Sequence, residues 1–206
     1  MKKIILDELI EVYRRKNYKI FENGIPYNLN IGGIRTNDLN PNKFNDWIYC
    51  LYKDESGYQK FHCWPATTDP GLYYLKYPLY KKGTAILAPD QYLGCWKLGL
   101  HKEEYKALIQ TGNVKVYRDA NRDDKYDYLE SSAEWGLFGI NIHRASKWGI
   151  VNYVNKFSAG CQVVKNHRNF DIIMLLCEKS LKYFGNGFSY ALIEGKDSNA
   201  SYLIRK

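Results

Sequence analysis

Two aromatic-rich runs, Asp46–Tyr52 (DWIYCLY) and Tyr58–Thr67 (YQKFHCWPAT), flank the polar pentad Lys53-Asp54-Glu55-Ser56-Gly57. Runs of this length, bounded by turn formers, predict strands, and so short a connection predicts a β-hairpin. Successive strand residues point to opposite faces, so the neighbours His62 and Cys63 do not act together, and Cys50 and Cys63 read as strand core. Further strands are expected at Ile31–Thr36, Gly83–Ala88, Tyr92–Leu98, Val114–Tyr117 and Phe188–Ile193, and a short strand or extended link at Asn17–Asn23. Trp64–Gly71 is a turn-rich exit from the hairpin, with Trp64 expected to pack over the sheet edge.

Two segments carry a helical period instead. Ile5, Leu9, Val12 and Tyr13 fall at i, i+4, i+7 and i+8, and Phe170, Ile173, Met174, Cys177, Leu181 and Phe184 share one face of Asn169–Phe184. His101–Gln110 also has helical composition, with a narrow apolar face of Tyr105, Leu108 and Ile109 and with His101 at an exposed start. Aromatics make up 16% of residues at a mean hydropathy of −0.50, which fits a β-rich domain and argues against disorder. No repeat or low-complexity linker divides the chain. The expectation is one mainly β (α+β) domain over residues 1–206, a sandwich or rolled sheet with one late amphipathic helix. Residues 1–23 are read as its N-terminal helical appendage.

The stretch Phe138–Val164 concentrates the chemistry. Its alternation over GINIHRA predicts a strand that delivers His143 at its end, and Ser158-Ala159-Gly160-Cys161 is a tight turn leading back into extended Gln162–Val164. A loop of this length can fold Cys161 beside His143. The thiolate is the nucleophile, and a neighbouring imidazole promotes it near neutral pH. The N–H of Cys161, freed by the small Gly160, is a candidate oxyanion donor, while Ser158 would brace the turn or bond His143.

His143 followed after seventeen residues by Cys161 within Ser-x-Gly-Cys resembles the signature of the L,D-transpeptidase catalytic domain, the YkuD-like family. The match spans residues 138–164. Between Ser and Gly, where that family often has a small polar residue or His, stands Ala159. Two positions after the Cys, where it usually has Arg, stands Val163. The resemblance implies the family's β-rich fold and a cofactor-free thioacyl-enzyme on Cys161, formed from a peptidoglycan stem peptide. That acyl group passes to an amine or to water. The alternative is a non-catalytic wall-binding or virion structural module on the same fold.

A formal charge of +8 and a pI near 9.1 favour polyanionic partners such as wall polymers. The basic residues form no long run, and no predicted helix interleaves them with aromatics, so nucleic acid is not expected. Five cysteines without a Cys-x-x-Cys argue against a disulfide framework or a zinc site. The first apolar run is interrupted at Asp7 and Glu8, too soon for a signal h-region, and no stretch has the length of a membrane span. A wall substrate would therefore imply delivery by a bacteriophage or as a secreted effector.

Asp119, Asn121, Asp123, Asp127 and Glu130 occupy positions 1, 3, 5, 9 and 12 of a calcium-loop pattern. Position 6, normally Gly, is Asp124, and a strand precedes the loop. Structural calcium and a solvated acidic turn are both compatible with this pattern, and those two departures favour the turn.

Overall fold

The computed structural model describes residues 2–197, with side chains from Leu6 onward. Helix α1 (Lys2–Arg15) precedes strands β1 (Asn30–Arg35), β2 (Asp46–Lys53) and β3 (Gln59–Thr67) and a one-turn helix α2 (Leu72–Lys76). Strands β4 (Thr84–Leu87), β5 (Gln91–His101), β6 (Tyr105–Gln110), β7 (Val114–Asp119) and β8 (Glu134–Gly136) follow. The chain continues through β9 (Ile142–Arg144), β10 (Gln162–Val164), helix α3 (His167–Phe184) and β11 (Phe188–Glu194). The fold is mainly β, as expected. Its main sheet closes into a barrel in the order β1-β11-β5-β6-β9-β10-β3-β2, and β4-β7-β8 form a separate three-stranded sheet.

Alternation decides which side each residue serves. Ile48 and Cys50 on β2 and Tyr190 and Leu192 on β11 enter the main core, whereas Tyr49, Ala191 and Ile193 face outward. Trp64 lies in that core, 7% exposed, not over a sheet edge. Leu9, Val12 and Tyr13 of α1 cover the outward set, so the expected apolar face is used; Ile5 lies outside the described side chains. Gly32 and Gly33 make room for one tyrosine on each side. A Cβ at Gly32 would stand 2.2 Å from Tyr49 Oη, and one at Gly33 would stand 2.2 Å from Tyr190 Oη.

Helix α3 begins slightly earlier than expected. The Asn166 side chain caps it by accepting from the Arg168 N–H, and Gly185, at φ 71°, ends it. Phe170, Ile173, Met174 and Cys177 bury in the barrel core. The helix expected over His101–Gln110 is absent. That segment is the turn and second strand of the β5–β6 hairpin, paired from Trp96↔Gln110 to His101↔Tyr105. Lys102 and Glu103 take left-handed backbone (φ 51° and 61°), and Glu104 N–H bonds the His101 carbonyl. Non-local pairing has overridden local helix propensity. Residues 17–23 form no strand.

Arg35, at the end of β1, is 2% exposed. Its guanidinium donates to Thr68 Oγ1 (3.2 Å), the Thr68 carbonyl (3.1 Å) and the Leu87 carbonyl of β4 (2.9 Å), and lies 2.9 Å from Asp69 Oδ1. Asp46, also buried, accepts from the N–H groups of Thr36 and Thr68 and from the Thr68 hydroxyl, each at 2.8 Å. Burial pushes Asp69 up to about 7 despite Arg35, with Asp46 adding to the rise, and burial also raises Asp46. Arg35→Met would leave two buried carboxylates without their cation, a loss of about 3–5 kcal/mol at neutral pH. Both carboxyls have folded pKa values above the unfolded ~3.9, so their ionised forms oppose folding above the folded pKa and cease to do so on protonation. Urea melts should therefore show a deficit for Arg35→Met that is largest above pH ~7 and shrinks steadily towards pH ~4.

Candidate active site

Strands β9 and β10 run parallel, with Ile142↔Gln162 and His143↔Val163 in register. Parallel neighbours need a long crossover, which residues 145–161 provide. The Gln162 N–H bonds the Asn141 carbonyl at 2.9 Å, so the pairing continues back towards Cys161. Cys161 stands one residue before β10, and its Sγ donates to the Gly139 carbonyl at 3.4 Å, not to His143. Ile142 and Val164 fill the core behind them. His143 occupies the middle of its short strand, not the end.

Both side chains line a cleft of about 610 Å³. One wall is the barrel; the other includes Gly83, Thr84 and Ala85 at β4 and Arg118 of β7. A recess of about 290 Å³ continues past His101, His143 and Lys156 to Arg144. The turn before Cys161 is fixed from within. Ser158, fully buried, donates from Oγ to the Cys161 carbonyl (2.8 Å) and accepts the Gly160 N–H (3.1 Å). Its role is to brace the turn, and its hydroxyl is not bonded to His143. Gly160 has φ 120°, and a Cβ there would fall 2.2 Å from the Ala85 carbonyl oxygen, so glycine is required.

His143 is 5% exposed, and its Nδ1 lies 2.8 Å from the Arg144 carbonyl, with Tyr105 Oη at 3.3 Å. Donation to that carbonyl puts the proton on Nδ1 and leaves the lone pair on Nε2. His101 stacks on His143 with ring centroids 4.2 Å apart, and its own Nδ1 is 3.2 Å from Asn141 Nδ2. Sequence reasoning placed His101 on an exposed helix start. The hairpin instead buries it to 9% in the site. Tyr105 and Asn141 were likewise missed, since only the register across β5, β6 and β9 brings them here.

Burial, helped by His101 and then Lys102, pushes His143 down to about 3. Burial raises the Cys161 thiol to about 11 against the opposing pull of the Asn141 N–H and Lys102. Burial thus favours the neutral thiol and the neutral imidazole, against the expectation of a thiolate near neutral pH.

Val163, two positions after Cys161, is fully buried and does not line the cleft. Cations reach the cleft from elsewhere: Lys102 at the hairpin tip, Lys156 (4.2 Å over the Tyr73 ring) and Arg118. Arg118 pairs with Glu134 and lies over the rings of Tyr80 and Phe138. Residue type alone did not single these out, because their sequence neighbours carry no motif.

The acidic residues do not join this site. Asp119 accepts the Asp127 N–H, Asn121 donates to Asp127, the Asp123 carboxylate accepts the Lys125 N–H, and Glu130 pairs with Lys115. Among the described residues, no group of three or more His, Cys, Asp or Glu side chains is set to hold a metal ion, and no helix is long and apolar enough to cross a membrane. The chain matches no family model, no curated protein and no solved structure.

Alkylation of Cys161 by iodoacetamide, followed by mass spectrometry of the labelled peptide, should accelerate with pH through ~9–11 and show no plateau near neutrality. A plateau below pH ~8 would mean that a thiolate is already stabilised at rest.

Proposed function

We propose that the protein is a cysteine acyltransferase or hydrolase acting on peptidoglycan stem peptides, with the barrel as its version of the L,D-transpeptidase-like sheet. The observation that carries this reading is that Cys161, one residue before β10, and His143, on the parallel neighbour β9, line the same cleft. As Cys161 Sγ attacks an amide carbonyl carbon, Nε2 of His143 takes the thiol proton. Negative charge passes to the carbonyl oxygen, for which the Cys161 N–H is the donor, since the Gly160 N–H is committed to Ser158. Collapse of the adduct breaks the C–N bond, and the His143 imidazolium returns its proton to the departing amine. A thioester remains. An amine acceptor or water then attacks it, giving transpeptidation or hydrolysis and restoring the thiol.

No cofactor enters these steps. Lys102, Lys156 and Arg118 suit a donor that carries carboxylates, as a stem peptide does. His101 acts through His143: the stacked ring restricts its rotation and disfavours its charge.

A second reading is favoured by one observation. The same burial that raises Cys161 is what a packed, unreactive thiol would have. In that case the domain is a wall-binding or virion structural module.

Purified peptidoglycan digested with the protein, with muropeptides read by mass, separates the two. New cross-links indicate transfer, lost cross-links or shortened stems indicate hydrolysis, and no change with retained sedimentation on sacculi indicates the module. Cys161→Ser and His143→Ala should each lower turnover by at least ~10²-fold, with the double variant little worse because the pair acts as a unit. Full turnover by a folded Cys161→Ser protein would end the catalytic reading.

A further inference from the structure

Asp119 closes strand β7 and is fully buried, yet its Oδ1 has no hydrogen-bond partner. A buried carboxylate oxygen without a partner is costly, and in native proteins it marks the place of a water or an ion. Its other oxygen, Oδ2, accepts the Asp127 N–H at 3.1 Å. Asp123 and Asp127 lie close enough to act on its charge, and together with burial they push its carboxyl up to about 6. A second oxygen of the same loop, Asp124 Oδ1, is also covered and without a partner. Asp124 Oδ2 is paired with Lys76 and Asp127 accepts from Asn121, so the unmet oxygens of the loop are Asp119 Oδ1 and Asp124 Oδ1.

The loop backbone is compatible with a cation. Asp124 stands where helix–loop–helix calcium loops need a left-handed residue, and its φ is 67°. The feature that counted against the pattern in the sequence, the missing glycine, is thus met in conformation. The Asn121 side-chain carbonyl accepts the Asp123 N–H, and the Asp123 carboxylate accepts the Lys125 N–H, each using one lone pair and leaving another.

We infer that the Asp119–Asp127 loop is a calcium site in which the unpartnered Asp119 oxygen, Asn121, Asp123 and Asp127 supply hard oxygen ligands. Glu130 is not among them, because it pairs with Lys115 on β7. Without that closing bidentate ligand the site belongs with weak modules, at a Kd of about 10⁻⁴–10⁻³ M. The described side chains form no ready-made metal-holding group, so the ion must gather Asp123 and Asp127 towards Asp119 as it binds. None of the four ligand side chains lines the cleft, and the site does not depend on the catalytic reading.

The test uses the full chain, stripped with a chelator and melted with and without ~5 mM calcium chloride, alongside calorimetric titration of the ion. Calcium should raise Tm by about 2 °C or more through linkage, with saturable heat. Asp119→Asn should abolish the shift. Should that buried substitution fail to fold, the exposed Asp123→Ala provides the same test, because it removes a ligand without touching the core. Three results would overturn the site: equal melting with and without calcium in the wild type, an undiminished shift in the folded variants, or an equal shift from magnesium chloride at matched concentration.

Discussion

One buried guanidinium joins the parts that the cleft needs. Arg35 belongs to the barrel, but its three hydrogen bonds leave it, two to the Thr68 hydroxyl and carbonyl after β3 and one to the Leu87 carbonyl of the smaller sheet. The same Thr68 carbonyl accepts Gln162 Nε2, and the Gln162 side-chain oxygen accepts from Tyr190. Gln162 directly follows Cys161, so the turn that carries Cys161 and the far wall of the cleft are referred to one fixed charge. Because a buried charge is strongly penalised unless paired and bonded, the geometry around Arg35 has few alternatives. Gly160 then seats against the Ala85 carbonyl at a distance no side chain would permit.

That rigidity bears on how the thiol could react. The protein around Cys161 and His143 favours their neutral forms, and separating them into thiolate and imidazolium in the resting cleft would cost on the order of several kcal/mol. In the proposed reaction, proton transfer is therefore best coupled to bond formation, when the charge leaving sulfur is passed on to the carbonyl oxygen. The cations nearby do not reverse this balance. Lys102 lowers the Cys161 thiol pKa less than burial raises it, and Arg118 is partly neutralised by Glu134. Their influence falls instead on what approaches the cleft, since a low-dielectric groove lined with cations concentrates anionic groups at its mouth.

Local pattern carried much of the architecture. The β2–β3 hairpin and helix α3 lie where period and turn chemistry place them, because each is stabilised by contacts within one segment or with one neighbour. Closure into a barrel was not legible, since the β1–β11 pairing joins strands from opposite ends of the chain. The hairpin tip at His101–Tyr105 shows the limit most directly. HKEEYKALIQ has helical composition, and only pairing with Trp96–His101 makes it a strand. The loss propagated to the site. With the hairpin unread, His101 and Tyr105 had no reason to approach His143, whereas the β9–β10 crossover was enough to bring His143 and Cys161 into one cleft.

The acidic loop inverts that lesson, because its residues were legible and its conformation was not. A non-glycine at the turn position argues against an ion-binding loop on composition alone, but aspartate tolerates left-handed backbone better than most residues, and Asp124 adopts it. The consequence extends beyond the loop. Tyr126 donates to the Pro70 carbonyl at 3.1 Å, and the Tyr128 ring lies 4.9 Å from the Arg35 guanidinium, so the segment after Asp119 lids the buried Arg35–Asp69 pair. The order of that lid governs how dry the pair remains. Whatever steadies Asp119–Asp127 thereby strengthens the charge interaction on which both walls of the cleft are set.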